Sequence, residues 1–225
     1  MVTITCNKDE LLYVIDKVLR HKIEPEFNYC KDSETGCECF VYSTPSYVYI
    51  GFYGTNELID WKTNMWFVPK QESDNPTYEK MRIHSGYFEG YLNLRNRLFD
   101  IVINKVPNIR NICVLGYSMG GGLAPLCALD LYKCYYFFDV SISCILIGSP
   151  KIFDCKSAKK YNMIVPNTVR IIYDNDIVPM LPFIGFKHVG ALFHYNKDPL
   201  HIFPSVKTHD SKNYRKACID FVTNI

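Results

Sequence analysis

Residues 115–124 read LGYSMGGGLA, and the middle of that stretch crowds four of the chain's 12 glycines into positions 116–122 around one serine. A serine that acts as a nucleophile must stand clear of the backbone and face a substrate. A sharp turn from a strand into a helix does this, with the serine at its tip in a strained conformation. The chain then closes on itself so tightly that side chains two residues to either side would collide. That is the physical sense of Gly116-Tyr117-Ser118-Met119-Gly120. The helix behind the serine aims its free amides at the site and favours developing negative charge. The flanking pattern agrees: NICVLGYS at 111–118 is a short apolar run into a turn, and MGGGLAPLCALDLYK at 119–133 reads as a helix. The competing readings are a phosphate cradle and a plain tight turn. The cradle lacks G-x-G-x-x-G and the G-K-[ST] ending of a P-loop.

Outward from the serine, the same alternation of elements continues. Residues 7–20 place Leu11, Leu12, Ile15, Val18 and Leu19 on one helical face, behind a capping pair Asn7 and Glu10. Residues 21–39 are polar and cysteine-bearing and read as loop, and 40–54 as two short strands about a turn at Thr44-Pro45-Ser46. From Ser85 to about Val106, Phe88, Tyr91, Leu92, Leu98, Ile101 and Val102 recur at helical spacing. SCILIGSP at 143–150 and NTVRIIYDND at 167–176 read as strands, 177–208 is rich in proline and aromatics, and 211–225 reads as a closing helix. Strands alternating with helices through short links predict an α/β fold, a central, mostly parallel sheet flanked by helices. In such sheets the chemistry lies beyond the carboxyl ends of the strands, where Ser118 falls.

Composition narrows the class. At 225 residues, one domain spanning 1–225 is expected. A 48% hydrophobic, 21% charged chain with net charge +2 is an ordinary globular composition with no electrostatic pull toward nucleic acid. The N-terminus lacks the basic start and apolar run of a signal peptide. The most apolar stretch, residues 134–150, is interrupted by Asp139 and too short for a transmembrane segment. The ten cysteines then read as free thiols in a reducing compartment, which predicts a cytoplasmic location. Cys30, Cys37 and Cys39 form the only tight group, and C-x6-C-x-C is a poor zinc pattern, so no metal is expected.

A nucleophilic serine needs a base, and the base needs an orienting acid. In α/β-hydrolases the chain order is Ser, acid, His. Asp174 and Asp176 both follow the apolar run VRIIY at 169–173, and His188, His194, His201 and His209 come later. Spacing alone leaves either acid and any of the four histidines open.

At this point the chain resembles the lipase class 3 family, the fungal triacylglycerol-lipase-like α/β-hydrolases. GFYGT at 51–55 is similar to the family's F-R-G-[T/S] oxyanion stretch, and Asp60-Trp61 to the D/N-W that follows it. His84-Ser85-Gly86-Tyr87 resembles H-x-G-F, and LGYSMGGGLA resembles G-H-S-L-G-G-A-L-A. IGSPKIFD at 147–154 resembles G-x-P-R-x-G, NDIVPMLP at 175–182 resembles N-D-I-V-P-R-L-P, and HVG at 188–190 the piece after it. The blocks occur in family order over roughly residues 40–215. By position the resemblance implies Ser118 as nucleophile, Asp176 as acid in preference to Asp174, and a base in the loop before the last helix. THDSKNY at 208–214 resembles the H-D-x-x-x-Y of some plant members, so His209 is the expected base and His201 the reserve. His188 aligns with a non-catalytic position, His84 reads as a buried structural histidine, and His194 and His21 have no claim. The implied oxyanion donors are the amides of Thr55 and Met119, with the Thr55 hydroxyl as a further donor. The chain departs from the family at Tyr53 for Arg, Tyr117 for His, Met119 for Leu and Lys151 for Arg. The first of these leaves the support of the oxyanion stretch without its usual residue.

The resemblance implies hydrolysis of carboxylic esters of lipids through an acyl-enzyme, with no cofactor. The expected partner is a lipid or other acyl-ester substrate, with transient contact at a lipid interface. Two apolar stretches are expected to contact the acyl chain: 57–68, with Trp61 and Trp66, where the family often has a mobile lid, and 180–186, with Phe183 and Phe186. The alternatives are a phospholipase, a short-chain carboxylesterase, and a degenerate hydrolase kept as a lipid-binding or interaction module.

Overall fold

Strands buried on both faces must be apolar at nearly every position, because successive side chains enter opposite cores. The central strands obey this rule. The computed structural model describes residues 4, 6–54, 70–72, 76–105, 110–135, 138–196 and 203–225. Its strands are β1 (Asn28–Lys31), β2 (Glu38–Ser43), β3 (Val48–Phe52), β4 (Lys70–Glu72), β5 (Arg82–His84), β6 (Asn111–Tyr117), β7 (Ser141–Ile147), β8 (Thr168–Tyr173) and β9 (Ala191–Tyr195). Seven of them form one sheet in the order β1-β2-β3-β6-β7-β8-β9, while β4 and β5 pair separately. From β3 to β9 the pairing is parallel, and β1 and β2 extend it as an antiparallel edge. Val48, Ile50 and Phe52 of β3, Ile112 and Val114 of β6, and Ile142, Cys144 and Leu146 of β7 belong to one core. Their neighbours Tyr49, Cys113, Leu115, Ile145 and Ile147 belong to the other.

Among the described residues, five helices close these cores: α1 (Lys8–Arg20), α2 (Ser85–Lys105), α3 (Met119–Cys134), α4 (Cys155–Ile164) and α5 (Ser211–Thr223). Leu11, Val14, Ile15, Val18 and Leu19 of α1 pack with Tyr214, Ala217, Cys218 and Phe221 of α5 on one face. The other face takes α2, α3 and α4, through residues such as Tyr91, Leu98, Leu123, Leu126, Ala158 and Tyr161. The start of α1 follows half of the expected capping pair: Asn7 Oδ1 accepts from the amides of Asp9 and Glu10, at 3.0 and 3.1 Å, whereas Glu10 Oε2 accepts from the hydroxyls of Thr44 and Tyr49, at 3.2 and 3.1 Å.

Several elements depart from the sequence reading, β4 and β5 among them. The expected loop 21–39 contains β1 and the first residues of β2, joined by a tight turn in which the Thr35 amide donates to Asp32 Oδ2 at 2.7 Å. Cys30 and Cys39 face each other across this hairpin, both buried. Their polar neighbours mask the strand pattern. The proline- and aromatic-rich stretch 177–208 contains β9, an edge strand whose Leu192 is exposed, so it lacks a buried alternation. Helix α4 buries only Ser157, Ala158 and Tyr161, and its start is set by Asp154, which accepts from the Ser157 amide at 2.8 Å. None of the described helices is long and apolar enough to cross a membrane.

Two glycines let α3 begin directly behind β6. A Cβ on Gly116 would stand 2.1 Å from the Gly120 carbonyl oxygen, and one on Gly120 would stand 2.3 Å from the Phe52 carbonyl oxygen. Both collisions are with backbone, which cannot swing aside. Gly86, at the start of α2, is different: its nearest neighbours would be ring atoms of His84 at 3.7 Å, an ordinary contact. Gly116→Ala and Gly120→Ala are therefore expected to cost more than about 3 kcal/mol or to prevent folding. Gly86→Ala is expected to be neutral or slightly stabilising. Urea unfolding of the three variants checks the ranking.

Beyond the 3-10 turn Val178–Met180, His188 Nε2 lies 2.7 Å from the Pro179 carbonyl oxygen and ties the descending chain to that turn. Burial, then the nearby Arg170 and Lys151 charges, pushes the His188 pKa down to about 4. An unfolded chain binds this proton at a pKa of about 6.5, so below that pH the unfolded state is favoured increasingly, until the folded state is also protonated near pH 4. Stability supplied by neutral His188 is thus present above about pH 6.5 and lost as the pH falls through 4. His188→Gln is expected to give a shallower loss of denaturation midpoint between those two pH values than the parent protein; parallel curves would refute this.

Candidate active site

Ser118 sits between the last residue of β6 and the first of α3, with φ 56° and ψ −120°. That left-handed φ is costly for a residue with a Cβ, and persists because the surroundings determine it from both sides. The Ser118 amide donates to the Ile147 carbonyl of β7 at 2.9 Å, and its carbonyl accepts from the Gly121 amide at 3.0 Å. Ser149 Oγ fastens the same turn by donating to the Gly121 carbonyl at 2.8 Å. The hydroxyl of Ser118 stands off the chain, 2.8 Å from His209 Nε2.

His209 arrives in the loop that leads into α5. Its amide donates to the Val206 carbonyl at 3.0 Å, and Asp210, next in the chain, caps α5 by accepting from the Lys212 amide at 2.8 Å. The imidazole Nδ1 lies 2.5 Å from Asp176 Oδ2. Both side chains are almost fully buried. Asp176 stands just beyond β8, held by pairing of its segment with 205: the Ser205 amide donates to the Asn175 carbonyl at 2.9 Å, and the Ile177 amide to the Ser205 carbonyl at 3.2 Å. Its carboxylate takes two further donors, the Val178 amide on Oδ1 at 2.9 Å and the Tyr214 hydroxyl on Oδ2 at 2.5 Å. Burial, reinforced by the Asp176 charge, pushes the Tyr214 phenol well above its ordinary pKa, so it remains a donor.

Two aromatic side chains box the imidazole. The Tyr117 ring lies nearly parallel to it, with centroids 5.1 Å apart and planes at 12°, and the Tyr117 hydroxyl donates to the His209 carbonyl at 3.4 Å. Tyr214 meets it edge-on, with centroids 5.7 Å apart. Gly148, at φ 54°, passes on another side, where a Cβ would stand 3.0 Å from His209 Cε1 and 2.9 Å from Tyr214 Cζ. The roles of Tyr117, Tyr214 and the Val178 amide were not read from the sequence. Tyr214 closes the pattern THDSKNY, which was the available signal for it.

The structure thus brings together Ser118, His209 and Asp176. Asp174 is set apart: its carbonyl is 2.7 Å from His194 Nε2, and its amide donates to the Tyr195 carbonyl. His188 is engaged by Pro179, and His21 by Glu38, at 2.7 Å each. His84 is buried against Tyr87 and Phe186, with ring centroids 5.0 and 5.5 Å away. Met119 opens α3, where the first amides of a helix have no partner within it. Phe186 is buried and Phe183 is 46% exposed, beside Ile184 at 87%. Thr55, Trp61, Trp66 and the reserve base His201 lie outside the described residues. Among the described residues, no three histidine, cysteine, aspartate or glutamate side chains are grouped to hold a metal ion.

A serine at a strand–helix turn, beside a buried histidine that meets a carboxylate, is the geometry of an acyl-transfer site. The lipase of Rhizomucor miehei is 30% identical over 151 residues, which are 64% of this chain and 40% of that lipase. A lipase of Rhizopus niveus is 27% identical over 150 residues, 64% of this chain and 37% of the relative. The matches therefore span well under half the length of these curated relatives. The crystallographic fold of Rhizomucor miehei triacylglyceride lipase superposes with a TM-score of 0.73 over 92% of this chain and 94% of that one, at 20% identity, a likeness of fold. The family model for lipase (class 3) matches residues 49–186, more than half of the chain and enough to include all but the first residue of β3, the Ser118 turn and Asp176, and the chain belongs to that family.

Proposed function

We propose that this chain is a serine hydrolase that cleaves carboxylic esters of lipids. The observation that carries the reading is the unbroken hydrogen-bonded line from Ser118 Oγ to His209 Nε2 and from His209 Nδ1 to Asp176 Oδ2, at 2.8 and 2.5 Å. In the proposed reaction His209 Nε2 takes the hydroxyl proton as Ser118 Oγ attacks the acyl carbonyl carbon. His209 returns that proton to the departing alcohol, leaving an acyl-serine. Water, deprotonated by His209, attacks the acyl carbonyl; the bond from the acyl carbon to Ser118 Oγ breaks, His209 Nε2 returns the proton to Oγ, and the acid is released. Asp176 accepts the Nδ1 proton's hydrogen bond, which fixes the tautomer and balances the positive imidazolium. Tyr214 and the Val178 amide keep the carboxylate from turning. The Met119 amide, at the head of α3, is the proposed described donor to the oxyanion, with Thr55 as its proposed partner.

The lipid part of the proposal draws on the family and on the chain after Asp176. Met180, Phe183 and Ile184 are 40%, 46% and 87% exposed on that stretch. Apolar side chains presented to solvent in one short segment suit an acyl chain or lipid surface better than a polar substrate.

The test is steady-state hydrolysis of p-nitrophenyl esters of graded chain length, with phospholipid as a separate arm. Ser118→Ala and His209→Ala are each expected to lower kcat by about 10⁴-fold or more, and the double variant to fall no further. Longer acyl chains are expected to be preferred. Full activity in Ser118→Ala, or none in the parent protein, would overturn the assignment.

A further inference from the structure

The backbone that leads out of β3 is pressed against the serine turn. The Tyr53 carbonyl oxygen would lie 2.6 Å from a Cβ on Gly120, and a Cβ on Gly54 would meet the Tyr117 carbonyl oxygen at 3.2 Å and Ser118 Cβ at 3.3 Å. Any shift of Tyr53 therefore moves the wall beside the Ser118 side chain.

Tyr53 is held unusually firmly. Its side chain is buried in the core opposite to the one that Phe52 enters. Its hydroxyl donates to the Lys22 carbonyl at 2.9 Å, and its amide to the Glu38 carbonyl at 3.1 Å. Its ring lies flat on the His21 imidazole, with centroids 4.4 Å apart and planes at 13°, and tilts against Phe40 at 5.3 Å. His21 is itself fixed from two directions. It ends α1 in a left-handed conformation, φ 50°, and its Nε2 is 2.7 Å from Glu38 Oε2. Lys31 Nζ donates to the other carboxylate oxygen of Glu38 at 2.7 Å. Glu38 thus grips Tyr53 twice, through its main-chain carbonyl and through the imidazole stacked on the ring. Burial opposes ionisation of Glu38, yet the hydrogen bonds from Lys31, Tyr29 and His21 outweigh it and hold the carboxyl below its ordinary pKa.

Apolar packing would bury this ring without taking a carboxylate out of water, and such replacements are often neutral or stabilising. What directed hydrogen bonds and a flat stack add is a defined ring position. We propose that Tyr53, clamped by His21 and Glu38, is a positioning residue for the hydrolysis: it holds the Tyr53–Gly54 backbone in register with Ser118, so that the tetrahedral oxyanion meets its donors. The inference rests on the ester-hydrolase reading. Misplacement by about 1 Å at a reacting centre costs on the order of a hundredfold in rate, so a modest relaxation of this clamp is visible in kcat.

The experiment uses His21→Asn, Tyr53→Leu and their combination in the full chain. Asparagine tolerates the left-handed backbone at position 21 while removing the ring, so this variant keeps the end of α1. Each is assayed for kcat and KM with a short soluble p-nitrophenyl ester, for inhibition by an aliphatic trifluoromethyl ketone, which reads oxyanion stabilisation as a hemiketal on Ser118, and for melting temperature. Each single variant is expected to lose about tenfold or more in kcat with KM changed by less than about twofold, and to lose affinity for the ketone by the same factor. The double variant is expected to lose little beyond the worse single one, because both act through one contact. A purely structural role would lower the melting temperature and leave kcat and ketone affinity in place. The proposal is overturned if folded His21→Asn keeps both within about twofold of the parent, or if its loss is confined to KM. Should Tyr53→Leu not fold, His21→Asn alone decides. A parent protein that neither turns over the ester nor binds the ketone would sink the hydrolase reading itself.

Discussion

The molecule depends on a backbone-to-backbone contact: the first turn of α3 lies directly on the carbonyls that end β3. At Gly120 a Cβ would come within 2.3 Å of the Phe52 carbonyl oxygen, and at Gly116 within 2.1 Å of the Gly120 carbonyl oxygen. With side chains excluded there, a single residue, Ser118, separates the end of the strand from the start of the helix. Ser118 is then left at φ 56° with its hydroxyl projecting past the ends of the parallel strands. The same closeness gathers the ends of three strands around one point: β3 supplies Tyr53 and Gly54, β6 supplies Ser118, and β7 accepts the Ser118 amide through Ile147. Asp176, just past β8, and His209, just before α5, reach this point because the strands are parallel and their carboxyl ends share one side of the sheet.

Much of the fold was legible because the central strands are covered on both faces. NICVLGY and SCILI read as continuous apolar runs since each side chain, whichever way it points, enters a core. What escaped the sequence was whatever is covered on one side or by few contacts. Strand β1 escaped because Asn28 and Lys31 dilute its pattern, β9 because its edge leaves Leu192 in solvent, and α4 because three small or polar-tipped residues suffice to seat it. The site followed the same division. The turn around Ser118 is local, so its glycines announce it. The pairing of Asp176 with His209 joins residues 33 apart in the chain and depends on where α5 docks. Spacing therefore left two acids and four histidines open, and only the resemblance singled out a pair. Tyr53 stood in the sequence as a departure from the family's arginine. Its partner Glu38 lay in a stretch read as loop, so the support it provides could be found only in three dimensions.

The buried polar groups around the site form one connected arrangement. Asp176 collects three hydrogen-bonding partners, His209, the Val178 amide and the Tyr214 hydroxyl, so its buried carboxyl group is not left without partners. The imidazole between Tyr117 and Tyr214 has little room to rotate, which suits the proton exchange with Ser118 that the proposed reaction requires. Membership of the lipase (class 3) family rests on residues 49–186, which carry Ser118 and Asp176, while His209 and Tyr214 join them from beyond that match through the docking of α5.

The central claim is that Ser118 becomes covalently modified during turnover, and the direct measurement is mass spectrometry after reaction with an alkyl fluorophosphonate. The account predicts loss of fluoride and one phosphonyl adduct per chain, on the peptide that contains Ser118, with labelling abolished in Ser118→Ala and strongly slowed in His209→Ala. An adduct on another residue, or ester hydrolysis that continues with Ser118 unlabelled, would contradict it.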